Sequence, residues 1–245
     1  MVNLGKLQTR RIVIAILNHL HNSCRGNPTP TPRGCPIPRR AGTGAPPLHI
    51  CMNDLGLLYM SVQLQKRLFT VKEYHLMTEA GILSEGDRVE LIEGEIIQMA
   101  AIGTRHASCV NRLARRFSLI PEDLATFAIQ NPVKLTDRTE PQPDVVLLQP
   151  RADYYATAHP VPSEVLLLIE VSDSTFDYDR DVKVSIYSRS GIQEVWLVDL
   201  VKNCLEVYRQ PDPNGYSLML KFWRDQQVAP LAFPEFKVSV DFILA

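Results

Sequence analysis

Five apolar residues in succession, Val165-Leu166-Leu167-Leu168-Ile169, run directly into a carboxylate, Glu170. A shorter run, Val145-Val146-Leu147-Leu148, is preceded directly by Pro143-Asp144. Runs apolar at every position suit strands covered on both faces, in the middle of a sheet. A carboxylate at the edge of such a strand is costly to bury unless it is paired or holds a metal. If the two strands pair antiparallel, the start of one lies beside the end of the other. Asp144 and Glu170 then stand about 4.8 Å apart, close enough to share one divalent cation.

Lys183 follows Glu170 on a segment that reads as a helix over 177–189, stopped near Gly191, and its amine can reach the same place. Two carboxylates and a lysine form a working set for phosphodiester hydrolysis. Mg²⁺ (or Mn²⁺) polarises a phosphoryl oxygen and lowers the pKa of bound water. The lysine orients or deprotonates that water, or offsets charge developing in the transition state. Taken singly, Asp144 is a turn residue and Lys183 a solvated helix lysine; their order along the chain is what points to a site.

Around these runs the pattern alternates helices and strands. Thr70-Val71-Lys72-Glu73 is a capping box opening a helix with Val71, Tyr74, Leu76 and Met77 as its stripe, ended by Gly81. Residues 89–99 read as a hairpin about Glu93-Gly94. Residues 106–117 read as a helix with Val110, Leu113, Ala114 and Phe117 on one face and Arg105, Arg112, Arg115 and Arg116 on the other. Further strands are expected at 127–129, 133–135, 164–171, 195–198 and 205–208. The alternation of Phe236, Val238, Val240 and Phe242 suggests one more. Helices set among strands predict an α/β fold with a mixed sheet flanked by helices.

The first 59 residues differ in texture. They hold seven of the eighteen prolines, and residues 1–60 carry a net charge of +6 against −7 for the remainder. Such a segment cannot bury enough apolar surface to offset its ordering entropy, so residues 1–59 read as a disordered extension or a misassigned start, with translation beginning at Met60. Residues 60–245 form the globular domain. The acidic balance of that domain counts against broad nucleic-acid binding, and any such contact must use a local basic surface or bound metal. The five cysteines contain no C-x-x-C pair, which argues against zinc ribbons and redox motifs and suits reduced thiols in a cytoplasmic protein. No apolar run approaches the roughly 20 residues of a membrane span. No G-x-x-x-x-G-K-[ST] loop occurs, so a nucleotide enzyme of that type has no support.

The series Pro143-Asp144, Glu170-Val171-Ser172-Asp173-Ser174-Thr175, Asp179, Lys183, Tyr187, Gly191 and Glu194-Val195-Trp196-Leu197-Val198-Asp199 resembles the Uma-type restriction endonuclease family, a branch of the PD-(D/E)xK nuclease superfamily. The likeness extends upstream to Glu90-Leu91-Ile92-Glu93-Gly94-Glu95 and His106, and covers residues 66–245. It implies a restriction-endonuclease-like sheet, Asp144 and Glu170 as metal ligands, the Val171 carbonyl as a third, and Glu90 as an accessory acid. His106 becomes a proton carrier or phosphate contact, or else a histidine at a helix start that meets water. The superfamily motif places its lysine two residues after the glutamate. Ser172 stands there, and Lys183 fits the version in which the amine comes from the next helix. Tyr187 lies one turn after Lys183, as a site hydrogen-bond donor or a core tyrosine. Trp196 reads as core packing, and the arginines of 105–116 as DNA-backbone contacts or a solvated face. The functional expectation is a Mg²⁺-dependent endonuclease acting on DNA, with a homodimer suited to cutting two strands. The alternative is an inert module on the same scaffold that binds nucleic acid or a protein partner.

Overall fold

The computed structural model describes residues 65–245 apart from Glu85, and the backbone of two short strands before them. The chain divides into two compact units, Met1–Leu64 and Gln65–Ala245. In the first, β1 (Ile50–Met52) pairs antiparallel with β2 (Leu58–Met60). The other expectations for residues 1–59 lie outside the described residues.

The second unit opens with α1 (Val71–Glu79). Its capping box is formed on both sides: the Thr70 hydroxyl accepts from the Glu73 amide at 3.2 Å, and the Glu73 carboxylate accepts from the Thr70 amide at 2.9 Å. Val71 and Tyr74 are buried, whereas Leu76 points to solvent. Strands β3 (Val89–Ile92) and β4 (Glu95–Gln98) form the hairpin. Its two turn residues, Glu93 (φ 49°) and Gly94 (φ 83°), both lie in the left-handed region that two-residue hairpin turns require. A Cβ at Gly94 would also stand 2.7 Å from that of Leu68, so glycine is needed there twice over.

The main sheet has six strands in the order β10-β9-β8-β7-β6-β5. They are β5 (Thr126–Ile129), β6 (Val145–Leu148), β7 (Val165–Ser172), β8 (Glu194–Asp199), β9 (Cys204–Asp212) and β10 (Gly215–Phe222). Only β7 and β8 run parallel; every other neighbouring pair is antiparallel. The parallel pair needs a crossover, and helical segments supply it: α3 (Phe176–Tyr178), a π-helical turn (Asp179–Lys183) and α4 (Val184–Arg189).

Alternation along the central strands sorts the core into two layers. Val145, Leu147, Leu167, Ile169, Trp196 and Val198 face α2 (Thr104–Phe117) and the C-terminal α5 (Val240–Leu244). Val146, Leu148, Leu168, Val195 and Leu197 face the crossover through Val184, Ile186 and Tyr187. Both faces are covered, which is why the central strands are apolar at every position.

Three details depart from the sequence pattern. Residues 133–135 form no strand: the Lys134 amide donates to Pro160 and the Leu135 amide to Thr139, so the buried Val133 and Leu135 are fixed by loop contacts. The alternating tail is a strand only at β12 (Val238–Ser239), which pairs with β11 (Gln227–Val228). From Val240 the chain turns into α5, burying Val240, Ile243 and Leu244 and leaving Phe242 exposed. The helix expected over 177–189 is broken by the π turn, where the Val184 amide reaches back to the Asp179 carbonyl.

Candidate active site

Strand register positions the two acids. β6 and β7 are antiparallel with Val145 opposite Ile169, so Asp144, one residue earlier, comes opposite Glu170, one residue later. Glu170 shares a face with Leu168 and points toward the crossover, while Asp144, just before β6, reaches across to the end of β7. Past Val145 the strand partner is gone, and the Val171 amide donates to Asp144 Oδ2 at 2.8 Å. A residue's amide and carbonyl lie on the same edge of a strand, which directs the Val171 carbonyl to the Asp144 side as well.

Asp144 has two further donors. Its Oδ2 meets His106 Nε2 at 3.0 Å, and its Oδ1 accepts from the Gln130 side-chain amide at 3.2 Å. His106 lies in the first turn of α2, not at its boundary. The Asp144 hydrogen bond raises its pKa, partly opposed by burial, and its Nδ1 is buried with no partner among the described residues.

Glu170 Oε1 accepts from Lys183 Nζ at 3.1 Å and from the Tyr187 hydroxyl at 2.5 Å. Asp179, Lys183 and Tyr187 recur every four residues through the π turn and the start of α4, and all three are buried. Lys183 Nζ also lies 3.1 Å from Glu90 Oε2, and the Gln142 amide donates to the same oxygen. β3 thus delivers Glu90 to the site from outside the main sheet. Asp179 accepts from the Thr175 hydroxyl at 2.6 Å.

Glu90, His106, Asp144, Glu170, Asp179 and Lys183 line one cavity of about 540 Å³, which Arg88, Gln142, Val171, Asp173 and Tyr178 also border. Four buried carboxylates, Glu90, Asp144, Glu170 and Asp179, face it against the buried Lys183 and the half-buried His106 and Arg88. That imbalance has consequences. Burial pushes Glu170 up to about 8, with Lys183 opposing and Asp144, Asp179 and Glu90 adding to the rise. Burial alone would favour a neutral Lys183, but Glu170, Glu90 and Asp179 more than offset it and hold the amine charged. Burial also raises Tyr178, to about 12, and its hydroxyl has no partner among the described residues. A divalent cation fits such a donor set. Asp144, Glu170 and the Val171 carbonyl would hold it, and its charge would relieve the surplus of buried acids.

The profile of a family described as "Putative restriction endonuclease", Uma2, matches residues 71–241. The chain belongs to the Uma2 family. Among solved structures it is similar to a putative nuclease belonging to DUF820 from Anabaena variabilis, at a TM-score of 0.56 and 18% identity, over 72% of this chain and 97% of that one. This likeness concerns the fold. No curated protein matches the chain.

The Uma2 domain brings Asp144, Glu170, Lys183, Glu90, His106 and Val171 to one cavity. Ser172 shares the Glu170 face of β7, so a lysine there would point the same way. It is instead fully buried beside Thr175, and the crossover supplies the amine from the opposite direction. The sequence did not point to Gln130 or Gln142, whose partners are distant in the chain, or to Tyr178, which only the fold brings to the cavity. The pairing of Arg112 and Arg116 was equally hidden. Arg112 donates to the Ile243 carbonyl, and Arg116 donates to the Lys237 carbonyl while stacking on Phe236. Arg105 is tied to Asp173 and to the Leu200 carbonyl. All three arginines are thus engaged within the chain. No helix among the described residues is long and apolar enough to cross a membrane.

Proposed function

We propose that this chain is a metal-dependent endonuclease that hydrolyses phosphodiester bonds in DNA, with Mg²⁺ or Mn²⁺ held by Asp144 and Glu170. The observation that carries this reading is the convergence of two opposed strand-end carboxylates and a buried lysine on one cavity. The nuclease descriptions of the family and of the structural neighbour are consistent with it. The bound ion would supply polarisation of the phosphoryl oxygen and acidification of a water.

The chain's own residues do the rest. Val171, Gln130 and His106 fix Asp144 from both oxygens, so its carboxylate is aimed before any ligand arrives. Tyr187 and Lys183 fix Glu170 through its Oε1 alone. Lys183, held charged, suits an electrostatic partner for the phosphate better than a proton acceptor. His106, with one nitrogen on Asp144 and the other without a partner among the described residues, is placed to carry a proton. A homodimer would present two such cavities to the two strands of a duplex.

The test is cleavage of supercoiled plasmid in Mg²⁺ or Mn²⁺ by the wild type, Asp144→Asn and Glu170→Gln. Cleavage by the wild type and its loss in both variants is the expected result; equal cleavage by all three would sink the proposal. A second reading, an inert module on this scaffold, draws on the clamping of Lys183 between Glu170 and Glu90 and on the −7 charge of residues 61–245. It requires that calorimetry detect no Mg²⁺ or Mn²⁺ binding at millimolar metal.

A further inference from the structure

A second group of ligand-type side chains lies apart from the cavity. His75 on α1, Glu140 on the segment leading to Asp144, and His159 in the loop before β7 each offer one ligand atom, and these atoms all lie within 4.8 Å of one another. His75 Nε2 and Glu140 Oε1 are 2.6 Å apart, and the two imidazole rings meet edge-on at 5.9 Å. The carboxylate is the telling member. Glu140 is 2% exposed, yet its Oε2 has no hydrogen-bond partner among the described residues. A buried acid oxygen left without a donor is expensive, and it points to a ligand.

We infer that His75, Glu140 and His159 form a second metal site, for a borderline divalent ion of the Zn²⁺ class. Two imidazoles and one carboxylate are a zinc donor set, with a fourth position left to water. Ligand atoms around a tetrahedral ion at its usual bond lengths lie about 3.3–3.5 Å apart. The His75–Glu140 pair, at 2.6 Å, must therefore open slightly, while His159 already stands within 4.8 Å of both. His159 is exposed and its side chain can move, while its backbone is held nearby because Pro160 accepts from the Lys134 amide at 2.9 Å. On binding, the proton between His75 and Glu140 leaves for solvent or for His75 Nδ1, and the ion takes its place.

The site would tie three elements of the domain together. The Glu140 amide donates to Leu91 at 2.7 Å, and two residues later the Gln142 amide holds Glu90. An ion on Glu140 therefore braces the segment that carries Asp144 without touching the cavity.

Metal-stripped full-length protein titrated with Zn²⁺ and with Co²⁺ tests this, using Asp144→Asn to remove the active-site locus. That variant should retain one Zn²⁺ per chain. Adding His159→Ala, an exposed change that leaves the core intact, should weaken that binding by more than about tenfold. His75→Gln should do the same. Co²⁺ bound to Asp144→Asn should show intense visible bands of a tetrahedral ion without a thiolate charge-transfer band, which separates the site from the cysteines. Zn²⁺ affinity unchanged by His159→Ala and His75→Gln, or a thiolate band, would overturn the inference. So would loss of all Zn²⁺ binding with Asp144→Asn alone.

Discussion

Glu170 takes two hydrogen bonds on a single oxygen, and its two donors serve different ends. The Tyr187 hydroxyl, fully buried at 2.5 Å, is a neutral donor to an acid. Tyr187→Phe keeps the ring and removes the donor; above about pH 8, where the Glu170 carboxylate is ionised, a hydrogen bond to such a charged group contributes about 1.5–3 kcal/mol. The variant should be less stable by about that amount and melt at a lower temperature, with an unchanged circular dichroism spectrum. A melting temperature equal to the wild type would mean that Glu170 finds another donor. Lys183 pairs with both Glu170 and Glu90, at 3.1 Å from each. Lys183→Met strips the cation from two buried acids, a change of the kind that costs about 3–5 kcal/mol in metal-free protein. Added Mg²⁺ should return part of the lost stability but not the cleavage activity, a contrast that thermal melts and plasmid assays can read side by side. The residues were unequally legible. Asp144 and Glu170 stood out because a charge set directly against a buried apolar strand must be paired or bound to a metal. Tyr178 and Gln142 did not, because each is an ordinary residue until the fold gives it neighbours.

Among the elements, those with a strong local pattern were readable and those shaped by tertiary contact were not. The capping box at Thr70, the Glu93-Gly94 turn and the apolar runs of β6 and β7 each carry their instruction within a few residues. The tail does not. Phe236, Val238, Val240 and Phe242 alternate as a strand should, but β12 is two residues long and the chain then coils into α5 against α2. Arg112 explains part of this: its Nε and Nη2 atoms both donate to the Ile243 carbonyl, at 3.2 and 2.9 Å, in the last turn of a helix whose carbonyls have no helical partners. Arg112→Ala should cost about 1–2 kcal/mol. It should also raise amide exchange in residues 240–244 before any other segment. Uniform exchange in wild type and variant would show that apolar packing alone holds α5. The π turn was equally hidden. Its extra residue per turn leaves no mark in the sequence, yet it accompanies the placing of Asp179 and Lys183 over β7, in keeping with the frequency of such turns at functional sites.

At the scale of the molecule, the surplus of buried acid sets how stability responds to pH. In the unfolded chain Glu170 gives up its proton near 4.5, whereas in the folded, metal-free protein it keeps it to about 8. Between those values the native state binds the extra proton, so stability falls as pH rises. Asp179, raised by its burial, acts in the same direction. His106, raised chiefly by its bond to Asp144, contributes stability that is present below its unfolded value of 6.5 and is lost as pH climbs through its higher folded value. All three groups therefore favour the acid side, and in chelator the melting temperature should decline from about pH 5 to about pH 8. Divalent metal should reverse the trend, since it binds the deprotonated carboxylates and stabilises most where protons have been given up. The gain in melting temperature on adding Mg²⁺ should accordingly be larger near pH 8 than near pH 5. Glu170→Gln, which cannot ionise, should flatten the metal-free profile and shrink the metal-induced gain. A metal-free melting temperature that instead climbs steadily across this range would show that the cavity acids are already ionised and compensated by other means, and that a bound cation is not what their burial requires.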